Sequence, residues 1–100
     1  MLYISLSDCI RKKDVLQKIR DFTFQEFDYK CAYCGNEASG LDHIIPRHQS
    51  GSDDFANTVP ACTPCNRWKG TQKYEDWYTE ANHPEWTEYR CQVIAEWRSR

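Results

Sequence analysis

Along the first quarter of the chain Val15, Leu16, Ile19, Phe22 and Phe27 recur at the three- and four-residue spacing of one helix face, which predicts a helix over residues 13–27. Ser7, Asp8 and Asp14 offer its start signals. The period then shortens. Residues 40–45 read as a short strand ended by Pro46, which cannot continue a ladder. Gln-Ser-Gly-Ser-Asp-Asp at 49–54 is turn chemistry, and 55–59 reads as the returning strand. A short helix over 66–70, closed by Gly70, comes next. In the tail Tyr74, Trp77, Tyr78 and Ala81 fit one helix face. Asn-His-Pro at 82–84 breaks that face, with Pro84 suited to the first turn of a last helix. Trp86, Tyr89, Val93, Ile94 and Trp97 then form an amphipathic stripe, read together with Trp77 as core. Trp68 is expected to pin its short helix to the tail, and His83 to cap a turn.

A chain of 100 residues makes one domain, and 40% hydrophobic with 28% charged residues is a globular composition. A core this small gains much from a staple, and four Trp, six Tyr and four Phe make it aromatic-rich. The opening Met1-Leu2-Tyr3-Ile4-Ser5-Leu6 is too short for a signal peptide and lacks a basic flank, and no apolar run reaches the length of a membrane span. A cytoplasmic, reducing setting is expected, and no membrane partner. The formal net charge of -2 argues against a surface wholly devoted to nucleic acid. A local basic patch exists all the same, in Arg47, His48, Arg67, Lys69 and Lys73.

Composition matters most through cysteine. Two C-x-x-C pairs, Cys31/Cys34 and Cys62/Cys65, each deliver two thiolates from one tight turn, and four thiolates close a tetrahedral structural zinc site. A redox dithiol and plain buried thiols are the rival readings. The spacer between the pairs, residues 35–61, suggests that zinc ties off an inserted hairpin. Such a site has no open position, so any reaction must be carried elsewhere. Cys9 and Cys91 read as small buried hydrophobes.

Between the cysteine pairs lies "LDHIIPRHQSG". His43 can take a proton from water near neutral pH. Asp42 and Asn66 offer hard oxygen ligands that suit Mg²⁺ or Mn²⁺. Asn57 has an amide able to bridge the hairpin loop. Adjacent strand side chains point to opposite faces, so Asp42 and His43 can serve one phosphate only if the strand distorts or the site lies across its edge; a distortion is the expectation.

The pieces "CAYCG", "LDHIIPRHQSG", "FANTVPAC" and "CTPCNRWKG", covering about residues 29–70, resemble the HNH endonuclease family. The resemblance implies an α+β fold: a small zinc-stabilised ββα-metal finger, flanked by an N-terminal helical segment (8–28) and two C-terminal helices (73–99). It implies DNA as substrate, His43 as general base, Asn57 as loop anchor, and Asn66 at the third signature position, as in an H-N-N subgroup. It implies Asp42 and Asn66 as ligands of a catalytic divalent ion. The tail "YEDWYTEANHPEWTEYRCQVIAEW" is similar to the C-terminal helices of small bacterial and phage HNH proteins. Arg47, His48, Arg67 and Lys69 are the expected nucleic-acid contacts, although the resemblance assigns His48 no role. Two functions of different class are open: a metal-dependent DNA endonuclease, acting alone as a nickase or as a dimer or larger complex on both strands, and a catalytically inactive zinc module binding nucleic acid or protein.

Overall fold

The computed structural model describes residues 12–46 and 55–100, with side chains described from Gln17 onward and not for Phe55. Expectations that rest on Ser7, Asp8, Cys9, Arg47, His48 and residues 49–54 lie outside the described residues.

Helix α1 (Lys12–Glu26) matches the apolar period within one residue at each end. Its buried Thr23 folds its hydroxyl back onto the Ile19 carbonyl at 2.9 Å. The chain then reverses through Asp28 and Tyr29, both with positive φ, and the Tyr29 amide donates to the Phe24 carbonyl at 2.8 Å. This left-handed exit points the chain directly into the first cysteine turn.

Strands β1 (Gly40–His43) and β2 (Thr58–Ala61) form a two-stranded antiparallel sheet, with Gly40 opposite Ala61, Leu41 opposite Pro60, Asp42 opposite Val59 and His43 opposite Thr58. Pro60 lies inside β2, although a strand ending before it was expected. Its carbonyl turns outward and accepts from the Ala32 amide at 2.9 Å, so its missing N–H also faces away from β1 and the ladder loses nothing. A 3₁₀ turn (Phe55–Asn57) leads into β2, where the sequence suggested strand throughout.

Helix α2 (Thr63–Lys69) starts three residues earlier than expected, because the Cys62 sulfur accepts from the Cys65 amide and Pro64 sits in the first turn. Gly70 closes it at φ 53°, as predicted. The tail departs further from expectation. Helix α3 (Tyr74–Trp77) is a single turn and does not reach Ala81. The Asn82 side chain donates to the Trp77 carbonyl at 2.8 Å, taking a group that a longer helix would have used. Pro84 starts no helix: α4 (Glu88–Arg98) begins after Thr87, whose hydroxyl accepts from the Arg90 amide at 3.1 Å. Within α4 Ile94 and Trp97 are buried, while Tyr89, expected in the core, is 76% exposed.

The core gathers where these elements meet. Tyr33, Trp77, Ile44, Val59 and Ile94 are fully enclosed. Trp77 meets Tyr33 edge-on at 4.8 Å, and Phe27 meets Trp97 likewise at 5.2 Å. Trp97 donates to the Thr58 carbonyl at 2.8 Å and the Tyr78 hydroxyl to the Tyr33 carbonyl at 2.7 Å, so the tail helices are bonded to β2 and to the first cysteine turn. Trp68 packs edge-on against Trp77 at 5.5 Å and thus joins α2 to the tail.

Candidate metal centre and active site

The four sulfurs of Cys31, Cys34, Cys62 and Cys65 all lie within 4.8 Å of one another, and Cys34 and Cys62 approach to 3.6 Å. A zinc tetrahedron with arms of about 2.3 Å has edges of about 3.8 Å, so the donor set and its size fit Zn²⁺. The electrostatics agree. Burial and the neighbouring thiols push Cys34 up to about 11, and burial followed by Cys31 raises Cys65 as well. Burial also opposes ionisation of Cys62, but the Cys65 amide and the other thiols outweigh it and hold Cys62 below the ordinary value. The four cannot all ionise together without a cation among them. Gly35 follows the first pair at φ 83°, a left-handed angle that calls for glycine, with the flexible end of Arg90 lying over it. His83, expected only to cap, does accept from the Glu85 amide at 3.1 Å, but it is also buried and its Nε2 lies 3.5 Å from the Cys65 sulfur.

Asn57 occupies the hairpin as a polar lock. Its side-chain oxygen accepts from the Ile45 amide at 3.0 Å and its side-chain nitrogen donates to the Ile45 carbonyl at 3.1 Å. Its backbone carbonyl accepts from Ile44 at 2.8 Å. The side chain thereby extends the strand pairing two residues past His43 and fixes the chain that leaves it.

Asp42 and His43 occupy consecutive register positions in an unbroken ladder, so the expected distortion between them is absent. Alternation turns Asp42 inward, where it is 6% exposed, and sends the His43 ring to the other face. One Asp42 oxygen, Oδ2, accepts from the Tyr33 hydroxyl at 2.6 Å and faces the Lys69 ammonium at 3.2 Å. Burial raises the Asp42 carboxyl above its ordinary value, and these two donors only partly offset it. Burial and Asp42 hold Tyr33 well above the ordinary phenol value, so it remains a donor.

Lys69 corrects the sequence reading. It was expected at a nucleic-acid face, yet it is 1% exposed, and its ammonium donates to the His43 carbonyl at 2.9 Å while pairing with Asp42. A buried ammonium needs such partners, and they lie on β1. The His43 carbonyl points to the free edge of the sheet, and Lys69 reaches it from α2. Asn66, one turn before Lys69, shares its helix face. Asp42 and the His43 backbone are thus tied to α2 through Lys69. Arg67 is exposed on α2, as a phosphate contact requires.

Comparison with known proteins agrees with this arrangement. Residues 31–72 match the HNH endonuclease family model. The SPbeta prophage protein YoqL of Bacillus subtilis (strain 168), named for an HNH endonuclease, is 32% identical over 98 residues, covering 84% of this chain and 40% of YoqL. The CRISPR-associated endonuclease Cas9 of Corynebacterium diphtheriae is 38% identical over 58 residues, covering 53% of this chain and 5% of that protein. Among solved structures, the Type II-C Cas9 enzyme from Actinomyces naeslundii matches with a TM-score of 0.60 at 19% identity, covering 95% of this chain and 12% of that one, a likeness of fold. The resemblance to the HNH endonuclease family is borne out, and the matched segment carries the cysteine cage and β1. The chain spans 40% or less of the length of each of these relatives. Among the described residues no helix is long and apolar enough to cross a membrane.

Proposed function

We propose that this chain is a DNA endonuclease that hydrolyses phosphodiester bonds at the free edge of β1. His43 is the general base that takes a proton from the attacking water. Asn57 fixes its strand through the two bonds to Ile45. Asp42, through the Oδ1 oxygen left open by Tyr33 and Lys69, and Asn66, through its amide oxygen, hold a divalent ion; Mg²⁺ and Mn²⁺ both suit two oxygen donors with water completing the shell. When bound, that ion neutralises charge developing on the phosphate and the departing oxygen. The incompletely compensated carboxylate of Asp42 suits such an ion. Arg67, joined by Arg47 and His48, supplies phosphate contacts, and zinc in the cysteine cage holds the frame. One such site nicks one strand, and two antiparallel cuts call for a second copy related by a two-fold axis or for a larger complex. The prophage relative suits a bacterial or phage setting.

The observation that supports this reading is the reach of Lys69 from α2 to both Asp42 and the His43 carbonyl, because Asn66 lies one turn before Lys69 on that helix. A plasmid-nicking assay with Mg²⁺, Mn²⁺ or EDTA tests it. The wild type is expected to nick with either ion and not in EDTA. His43→Ala is expected to stay folded and lose about 10²- to 10⁴-fold in rate. Equal nicking by wild type and variant, or none by either, would instead favour a binding module with no reaction, a reading that the net charge of -2 supports over a dedicated nuclease surface.

A further inference from the structure

The two cysteine turns lead into different backbone. After Cys34 the chain passes through Gly35 into an open turn, and the Asn36 amide donates to the Cys34 sulfur. Within the second pair, the Cys65 amide donates to Cys62 at 3.5 Å. Cys65 has no such backbone donor among the described residues. It sits inside α2, where the succeeding amides turn back along the helix, as Asn66 does to the Cys62 carbonyl at 3.0 Å. A thiolate at this position has to be covered by a side chain.

His83 is in place to do so. Its Nδ1 faces the Glu85 amide at 3.1 Å. A backbone amide can only donate, so Nδ1 is the acceptor and the ring proton resides on Nε2, which lies 3.5 Å from the Cys65 sulfur. A flipped ring would set a C–H against the amide. The ring has little freedom to move: it stacks on Trp68 at 4.8 Å and meets Trp77 and Tyr78 edge-on at 5.0 and 5.1 Å.

We infer that His83 is a positioning residue of the zinc cage, donating Nε2–H to the Cys65 thiolate in place of the amide that α2 withholds. The hydrogen bond draws off charge from an all-thiolate centre and directs the Cys65 lone pairs at the metal, which slows zinc loss and shields that sulfur from electrophiles. It also fastens the tail to the helix that carries Asn66. The inference needs the zinc cage alone and is independent of whether the β1 edge cuts DNA.

The test uses the zinc-loaded chain with His83→Phe, which keeps a flat ring but cannot donate, and His83→Gln, which carries a donor at a similar reach. Zinc release into excess EDTA is followed alongside mass-spectrometric mapping of alkylated cysteines. His83→Phe is expected to release zinc about 10- to 100-fold faster than wild type, with Cys65 modified first, and His83→Gln to release it more slowly than the Phe variant. A Phe variant as slow as wild type, or a Gln variant as fast as Phe, would overturn the inference. Should either variant fail to fold, ¹⁵N-histidine spectra of the wild type decide: a proton on Nε2 sustains the inference and a proton on Nδ1 ends it.

Discussion

The sulfur cage takes its four cysteines from two tight turns, whereas the β1 edge carries Asp42 and His43 from a strand, Lys69 from a helix and its lock from Asn57. In the cage every ligand is of one kind, and the donors are closed around a common centre. At the edge the carboxylate already has a phenol and an ammonium on one oxygen. The contrast is one of donor chemistry: a closed set of four soft thiols suits a structural ion, whereas the carboxylate on β1 is a hard donor with one oxygen already bonded.

The largest effect that separates the two regions should come from Cys31→Ala. Structural zinc contributes on the order of 10 kcal/mol or more, comparable with the whole stability of a small domain. Loss of the cooperative thermal transition and of stoichiometric zinc is expected, whereas Asn66→Ala should retain both. A variant at Cys31 that keeps the transition would show that the cage is not the frame.

Lys69→Met probes the other region. It leaves the Asp42 charge buried with one partner fewer, an expected cost of about 3–5 kcal/mol in urea unfolding. Pairing it with Asp42→Asn should recover part of the loss, because the charge left behind, and not the missing lysine, is the main penalty. If the double variant is as unstable as the sum of the singles, the pair is not coupled as drawn.

Asn57→Ala removes both bonds to Ile45 and should cost about 1–3 kcal/mol, with amide exchange at Ile44 and Ile45 accelerated more than in the cage turns. Uniform acceleration would mean that Asn57 stabilises the domain generally and not the β1 edge.

The smallest effect comes from an exposed ion pair and serves as a reference. Glu75 and Arg98 join α3 to α4 at 3.2 Å on the surface, and Glu75→Gln should change stability by less than about 1 kcal/mol. The Glu75 carboxyl is held below its ordinary value by its own backbone amide first and by Arg98 after that. Its contribution is therefore complete at neutral pH and is lost as acid protonates it below the usual carboxyl range, so the variant and wild type should converge at low pH.

Residues that interact within a few positions were legible from the letters. The α1 period, the Gly70 stop and the paired cysteine turns appear where the spacing puts them. The tail was less so. Asn82 and Thr87 competed with Ala81 and Pro84 for the same backbone groups, and hydroxyl and amide capping outweighed proline position.

The sequence by itself determined the four-cysteine cage and the resemblance to the HNH family, because a C-x-x-C turn converges its two sulfurs locally whatever surrounds it. Tertiary structure alone decided that Lys69 is an inner ion-pair partner instead of a surface cation, and that His83 meets a metal ligand. Those contacts join Lys69 to Asp42 and His83 to Cys65, residues far apart in the sequence. Their strength depends on exclusion of water, which only the assembled core provides.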